Sequence, residues 1–457
     1  MFRKVAIIGG GAAAATLVSE LLERRTTQPL HLYWYTGDGS GRGIAYGTRS
    51  PHHLLNVRAA SMGMFASKPQ GFLEYAQAAD PTVSGSDFLP RRLYGEYLES
   101  RVAQAMAKAS ASGHEVRQIP FTVDSLVPEP SGVTVGYGDE SNQTDAAVLA
   151  IGSLPPRSLP GVDADVIASG RYITDPWPFL ANAEPDERPL RVLVIGLGLT
   201  AVDVLLDLSE RWPNATFTAL SRHGLLPEAH LSAASAPAGD GAELVEALED
   251  DPNIRMWIAR LREATEHADD WRVVTDSLRS VTSKLWTLLP DEQRSRFLRH
   301  ARWAWERARH RMPPQVAESI AAMEKAGRFL RGRGRMQTVK LADDGSLSVT
   351  RVKPGGVKET ASFDVVVQTV GLNTDTLRTE HPLVRQLVTN GHARPEALGL
   401  GFAAQANGAL LDGDGKPRPN LFAIGTLLRG ALWESTAMPE IRVQARNLAD
   451  TLLRDQG

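Results

Sequence analysis

The sequence predicts an α/β protein with two parallel sheets, each built around a strand, a glycine turn and a helix. Two stretches carry that reading. "VAIIGGGAAAAT" (Val5–Thr16) and "VLVIGLGLTAVD" (Val192–Asp203) both pass from an apolar strand through closely spaced glycines into an apolar helix. Composition is the third observation: 457 residues, 42% hydrophobic and 23% charged, describe a globular chain long enough for two or three domains.

In the first stretch, Val5, Ala6, Ile7 and Ile8 form the continuous apolar run of a strand buried on both faces. Gly9, Gly11 and Ala14 then fit G-x-G-x-x-[GA]. In such a Rossmann-like turn the first glycine permits the tight bend and the second lets the backbone approach a pyrophosphate. The third small residue allows close helix–strand packing. The helix carrying Leu17, Val18, Leu21 and Leu22 aims its free N–H groups at the phosphates. A second strand is expected at "LHLYWY" (Leu30–Tyr35). An acidic residue ordinarily ends that strand and holds the adenosine ribose. Here Tyr35 and Thr36 stand in its place and Asp38 comes late, which leaves the ribose contact open.

Gly196, Gly198 and Ala201 repeat the pattern, with Thr200 in the first helical turn. The helix continues through Val202, Val204, Leu205 and Leu208, and the next strand is "TFTAL" (Thr216–Leu220). Ser221 and Arg222 follow it at once. An acid at that point favours NAD, whereas an arginine accommodates the 2′-phosphate of NADP, so Arg222 points to NADPH. Two dinucleotide folds in one chain suggest FAD held permanently in the first and NADPH brought as reductant by the second.

Three further strands end in a small-residue–Gly step: "DAAVLAIGSLPPRSLPG" (Asp145–Gly161) at Gly152, "FDVVVQTVGLN" (Phe363–Asn373) at Gly371, and "NLFAIGTLLRG" (Asn420–Gly430) at Gly425, followed by Thr426. These steps imply a discontinuous FAD domain at 1–165 and 340–457, with the NADPH domain inserted at 166–339. The NADPH domain carries its own helical insertion from about 238 to 333, opening at "APAGDGAE" (236–243). Within it, "IRMWIARLREAT" and "RSRFLRHARWAWERARHRM" space their apolar residues at three and four. Trp257, Leu261, Leu285, Trp286, Phe297, Trp303 and Trp305 are therefore expected in a core.

Several functions are disfavoured. A net charge of −3 does not suggest nucleic-acid binding, and no apolar run is long enough to cross a bilayer. With no cysteine there are no disulfides, no thiolate metal sites and no thiol–disulfide exchange. No metal site is expected. Arg3 and Lys4 before an alanine-rich run loosely resemble a secretion signal, but the strand–turn–helix pattern accounts for the same residues, and a cytoplasmic enzyme is expected.

Longer strings carry a family resemblance. "GRGIAYGTRSPHHLLNVRAASMGMF" (Gly41–Phe65), "FLPRRLYGEYL" (Phe88–Leu98), "GLGLTAVD", "RHRMPP" (Arg309–Pro314) and "LWESTAMPEIRVQA" (Leu432–Ala445) resemble a bacterial FAD/NAD(P)-binding oxidoreductase family. That family is similar to the class B flavin monooxygenases, in particular those that N-hydroxylate amino acids or small amines. The resemblance implies that Gly41, Arg42 and Gly43 run along the flavin phosphates or ribityl chain. It places Leu55, Asn56 and Val57 beside the isoalloxazine, with Asn56 near its reactive edge. Thr426 stands where many such proteins carry an aspartate that touches the ribityl chain. Arg58, Arg311 and Arg442 become candidates for a substrate carboxylate, and Glu434 for an ammonium group.

The implied reaction takes NADPH, molecular oxygen and a small-molecule amine, by way of a flavin C4a-hydroperoxide. Two other readings stand beside it: a flavin-dependent NADPH dehydrogenase or reductase without oxygen insertion, and a non-enzymatic FAD-bound redox sensor that signals through the helical insertion. Disulfide reductases fall with the missing cysteines. "ASGRYITDPWPF" (Ala168–Phe179) lacks the histidine of the Baeyer–Villiger string, which disfavours ketone oxygenation; Tyr172, Asp175 and Trp177 are placed instead at a domain hinge.

Overall fold

The computed structural model describes residues 2–26, 28–232 and 241–454. Val5, Ala6 and Ile7 lie in the interior of a six-stranded sheet, fully shielded from water. A strand covered on both faces has no polar side to show, and from Val5 to Ile8 its sequence is apolar. The sheet runs Ala409–Leu411, Pro417–Ala423, Ala146–Leu149, Lys4–Ile8, His31–Tyr35, Glu115–Ile119. All neighbours are parallel except the first pair. A second, wholly parallel sheet runs Phe329–Arg333, Thr216–Ser221, Arg191–Ile195, Val365–Gln368, Tyr172–Ile173.

The two sheets repeat one plan. In each, a central strand leads through its glycine turn into a helix, Ala12–Leu22 or Leu199–Arg211. Two strands then add outward on one side. A three-stranded antiparallel meander follows, and the next strand returns to the other side of the centre. The meanders are Ser125–Glu129, Gly132–Tyr137, Glu140–Thr144 and Arg335–Leu341, Leu347–Val352, Lys358–Phe363. The next strand outward in each sheet comes from across the domain boundary. Pro417–Ala423 follows the entire second domain, and Tyr172–Ile173 precedes the second glycine turn.

The chain crosses between the domains twice, and the crossings are tied together. Leu154 N donates to Asn373 O at 3.0 Å, and Asn373 Nδ2 donates to Pro155 O at 2.6 Å. On the far side, Tyr172 OH and Leu159 N both donate to Gln368 Oε1, at 2.7 and 3.2 Å. Because Val365–Gln368 pairs with Arg191–Ile195, the second sheet draws on chain well past the expected boundary at 339. Ala146–Leu149 and Val365–Gln368, the strands that follow the two meanders, are both short and mainly apolar, so only the pairing partner assigns each to its sheet. We place the return to the first domain near Gly371.

The helical insertion comprises Ala242–Asp250, Ile254–His267, Trp271–Ser277, Thr282–Leu288, Asp291–His300 and Arg302–Arg309. Of its expected opening, residues 236–240 lie outside the described residues. It ends earlier than 333. Helix Pro314–Lys325 buries Val316, Ile320 and Met323 in the second domain's core, and Phe329–Arg333 is a strand of that domain's sheet. An amphipathic helix has the same periodicity whichever core it faces, so the pattern alone does not separate them.

Trp257, Leu285 and Trp286 are buried, and Leu261, Phe297 and Trp305 pack partly buried around them, as expected. Trp303 departs from the expectation. It is 37% exposed and stacks on His223 at 4.2 Å. The insertion's core also takes in Leu400 and Trp433, so the insertion packs against the first domain as well as the second. Among the described residues no helix is long and apolar enough to cross a membrane, and no group of three or more metal-ligating side chains is gathered to hold an ion.

Candidate cofactor cradles and active site

The first cradle is closed over by its own chain. Gly9 has φ +132°, and a Cβ there would overlap the Ala150 carbonyl. The indole of Trp34 donates to Gly9 O at 2.8 Å and fixes the turn. The loop through Gly39, Gly41 and Gly43 lies directly on top: Gly41 N donates to Gly10 O at 2.9 Å, and a Cβ on Gly43 would sit 3.1 Å from Gly11 Cα. Gly11 caps helix Ala12–Leu22 without any side-chain hydrogen bond, and the first turn holds no acid. Its N–H groups are thus left for an anion. Ala14 is fully buried in the close packing expected of it.

Arg42 does not reach freely into this space: its Nη2 pairs with Glu99 Oε2 at 2.6 Å. Tyr35, at the position of the missing ribose acid, is turned inward, where its hydroxyl accepts from Asn142 Nδ2 at 2.9 Å. Asp38 is exposed beyond it.

The final strand–glycine element reaches the same place. Gly425 has φ +85°, and its absent Cβ would lie 3.6 Å from Ala13 Cβ. Its N–H donates to Gln444 Oε1 at 2.9 Å, and Thr426 is buried beside it. Gly152 and Gly371, at φ +70° and +98°, leave open space where side chains would stand at the two crossings. The donor set and the glycine surfaces suit a pyrophosphate-linked dinucleotide.

The second cradle is open. Gly196 has φ +125°, and a Cβ there would overlap the Thr369 carbonyl, as in the first turn. Gly198 again caps its helix without a side chain, but nothing lies within 4 Å of its absent Cβ. Thr200 is half-buried beside it. At the strand end, Ser221 Oγ accepts from Gly224 N at 2.9 Å. Arg222 is exposed and makes no ion pair among the described residues. In the next strand, Arg333 stands in register with Ser221 and is also exposed. Burial, then Arg222 and Arg333, hold the His223 imidazole below its ordinary proton affinity. Arg333 is a basic residue that the sequence reading missed because its strand was assigned to the insertion.

Between the cradles runs the segment Leu55, Asn56, Val57. Leu55 N donates to Leu89 O at 2.9 Å, Leu55 is buried, and Val57 packs against the first domain's core. The Asn56 side chain is half-exposed and makes no hydrogen bond among the described residues. Its carbonyl accepts from His230 Nε2 at 3.1 Å. The His230 ring also packs, tilted, against Phe88 with centroids 4.8 Å apart. Burial, reinforced by Arg311 and Arg58, drives its pKa down to about 3, so the ring is neutral with its proton on Nε2. No motif in the sequence marks this histidine.

The arginine candidates are largely engaged with protein. Arg58 donates to Ser86 O at 2.7 Å and Leu231 O at 2.8 Å and lies over Phe88, clamping the domains together. Arg442 donates to Ser61 O and Gly63 O at 3.0 and 3.1 Å. Arg311 is buried and paired with Asp276.

Glu434 is buried, accepts from Trp305 Nε1 at 3.3 Å, and has Arg309 and His310 each 3.9 Å away. Burial by itself would raise its pKa; these neighbours outweigh it and hold the carboxyl at about 2. The residue before it is strained. Trp433 has φ +59° and ψ −66°, and Glu434 N donates back to Leu432 O at 2.7 Å, a three-residue turn rare for any side chain. Stacking on Trp286 at 4.8 Å and on Arg429 at 4.5 Å holds it there.

Comparison with known proteins agrees with this geometry. Residues 6–154 match the model of the FAD-NAD(P)-binding family. Over 153 residues the chain is 32% identical to the L-ornithine N(5)-monooxygenase of Ceriporiopsis subvermispora (strain B), a match spanning 31% of this chain and 28% of that protein. The ornithine N-hydroxylase of Kutzneria sp. 744, in a complex with reduced FAD, NADP+ and L-ornithine, superimposes with a TM-score of 0.65 at 15% identity over 99% of both chains. The L-lysine 6-monooxygenase of Pseudomonas syringae gives 0.61 at 16% identity, again over 99% of both. Identities this low speak for the fold. The family likeness covers residues 6–154, and the whole chain shares its fold with those N-hydroxylating enzymes.

Proposed function

We propose that this protein is an FAD-containing, NADPH-dependent monooxygenase that N-hydroxylates an amino acid or small amine. The contrast between its cradles is the observation that carries the reading. The first is sealed by its own glycine loop, as suits a resident flavin, and the second is open, as suits a coenzyme that comes and goes. The overall reaction balances as R-NH2 + O2 + NADPH + H+ → R-NHOH + H2O + NADP+. The flavin, when bound, supplies hydride acceptance and oxygen activation; the protein supplies placement and a dry pocket.

Gly9, Gly11, Gly41 and Gly43 would cradle the FAD, with Gly425, Thr426 and Gln444 closing its other side. Gly196, Gly198 and Thr200 would take the coenzyme pyrophosphate, and Arg222 with Arg333 the 2′-phosphate. Asn56 is the polar group offered at the flavin edge, its peptide held by His230. Arg58 is a clamp in this reading, and Glu434 anchors the insertion beside the site through Trp305 and Arg309.

The test is NADPH oxidation by the flavin-loaded protein, screened against amino acids and small amines under labelled dioxygen. The expected result is one amine that raises NADPH consumption, lowers peroxide release and gains a labelled oxygen. NADPH oxidation that no amine couples to product would leave the reductase reading, and absence of NADPH oxidation the redox-sensor reading.

A further inference from the structure

Three of the strings singled out in the sequence meet at one buried spot to which the proposed reaction assigns nothing. "PHHLLN" brings His53, "FLPRRL" brings Arg91 and "GLGLTAVD" brings Asp203. Arg91 Nη2 pairs with Asp203 Oδ2 at 2.9 Å, with side chains only 14% and 9% exposed. Arg91 Nε donates to Leu54 O at 3.0 Å, and its backbone N–H to His53 O at 2.8 Å. His53 is buried; its Nε2 lies 3.3 Å from Asp203 O and its Nδ1 2.7 Å from Thr48 Oγ1. Its ring meets Trp177 of the second domain edge-on at 6.0 Å.

The position of this cluster gives it meaning. Asp203 stands one turn into helix Leu199–Arg211, whose N-terminus is the open cradle. Arg91 begins helix Arg91–Ala111 of the first domain and grips the carbonyl two residues before Asn56. An unbroken set of contacts thus runs from the coenzyme helix through Asp203 and Arg91 to Leu54 and the Leu55–Val57 segment. A buried ion pair gains little net stability over well-packed apolar residues of similar volume, because desolvation offsets the attraction. What such a pair does supply, with its directional bonds, is register between the bodies it joins.

We propose that Arg91 and Asp203 are positioning residues that set the coenzyme helix against the flavin segment, so that nicotinamide and flavin meet at hydride-transfer distance. The inference rests on the function proposed above and names two residues that govern its reductive step.

The experiment uses the full-length, FAD-loaded protein in anaerobic stopped-flow mixing with NADPH, which separates coenzyme affinity from the limiting rate of flavin reduction. Asp203→Asn breaks the pair. Arg91→Met/Asp203→Leu replaces it with apolar bulk and keeps the test available if Asp203→Asn does not fold. Arg91→Lys retains the charge and should recover part of the rate.

For the double variant, FAD content, thermal midpoint and NADPH Kd should stay close to wild type. The limiting reduction rate should fall about ten- to a hundredfold, the size of effect that a misplacement near 1 Å produces. A wild-type limiting rate in the double variant overturns the proposal, as does a loss confined to Kd or to FAD retention. A wild-type protein that holds FAD but is not reduced by NADPH overturns the functional reading first, and the wild-type control tells that failure from the others.

Discussion

At the scale of single residues, charge placed without a partner is the most informative feature. Arg222 and Arg333 stand side by side at the end of the second cradle, exposed, and Arg222 makes no ion pair among the described residues. Arg222→Ala should weaken NADPH binding by about 1.5–3 kcal/mol, the worth of a charge-assisted hydrogen bond, and leave NADH binding unchanged. Arg333→Ala should act in the same direction. Coenzyme titrations of both variants check this, and equal losses for the two coenzymes would refute the assignment.

His230 makes the opposite case, a titratable ring kept neutral. It takes up a proton near pH 6.5 in the unfolded chain but only at about 3 in the fold. Between those values the unfolded state binds more protons, so stability is complete above about 6.5 and declines as the pH falls through the window. Glu434, depressed from 4.5 to about 2, adds a loss of the same sign at lower pH. His230→Gln, which can still donate to Asn56 O, should flatten the first part of that decline in thermal midpoints measured above and below pH 6.5. Nothing in "LLPEAH" announced this histidine. Its role comes from a carbonyl 174 positions away in sequence.

At the scale of elements, two glycines with opposite surroundings should answer the same change in different observables, one in stability and one in coenzyme binding alone. Gly95 lies inside helix Arg91–Ala111, where alanine ordinarily stabilises by about 1 kcal/mol. Here a Cβ would stand 2.5 Å from Tyr46 O and 2.9 Å from Arg42 Cδ, against the loop that seals the first cradle. Gly95→Ala should therefore destabilise by about 1–3 kcal/mol and loosen FAD, read from thermal melts and flavin release.

Gly198 has an ordinary φ of −84° and no neighbour within 4 Å of its absent Cβ. Gly198→Ala should leave the melting temperature unchanged while weakening NADPH, because the new methyl takes space the pyrophosphate needs. Both turns were legible as motifs. Which of them is covered was not, because the cover comes from a loop some thirty residues downstream.

At the scale of the whole molecule, the insertion fastens the two cradles together. Trp286 donates from its indole to Gly430 O at 2.7 Å and stacks on Trp433 of the first domain. On the other side, Arg307 pairs with Glu228, and Trp303 covers His223 at the second cradle. Trp286→Ala should cost about 3–5 kcal/mol, the range for a buried tryptophan. Flavin fluorescence and far-UV circular dichroism should then shift together in denaturant, since insertion and first domain share one core.

The amino-acid order alone determined the two strand–glycine–helix turns, the arginine at the end of the strand that follows the second of them, and the lack of any cysteine. These depend on local sterics, on a period of a few residues, or on composition, all of which a linear string displays. Folding decided the rest. It assigned Val365–Gln368 and Phe329–Arg333 to the second sheet, doubled the meanders, spent Arg58 on backbone carbonyls and set Arg91 against Asp203. Each of those outcomes is a choice of partner across a large sequence separation. Residues equally apolar or equally charged leave that choice to the packing of the complete chain.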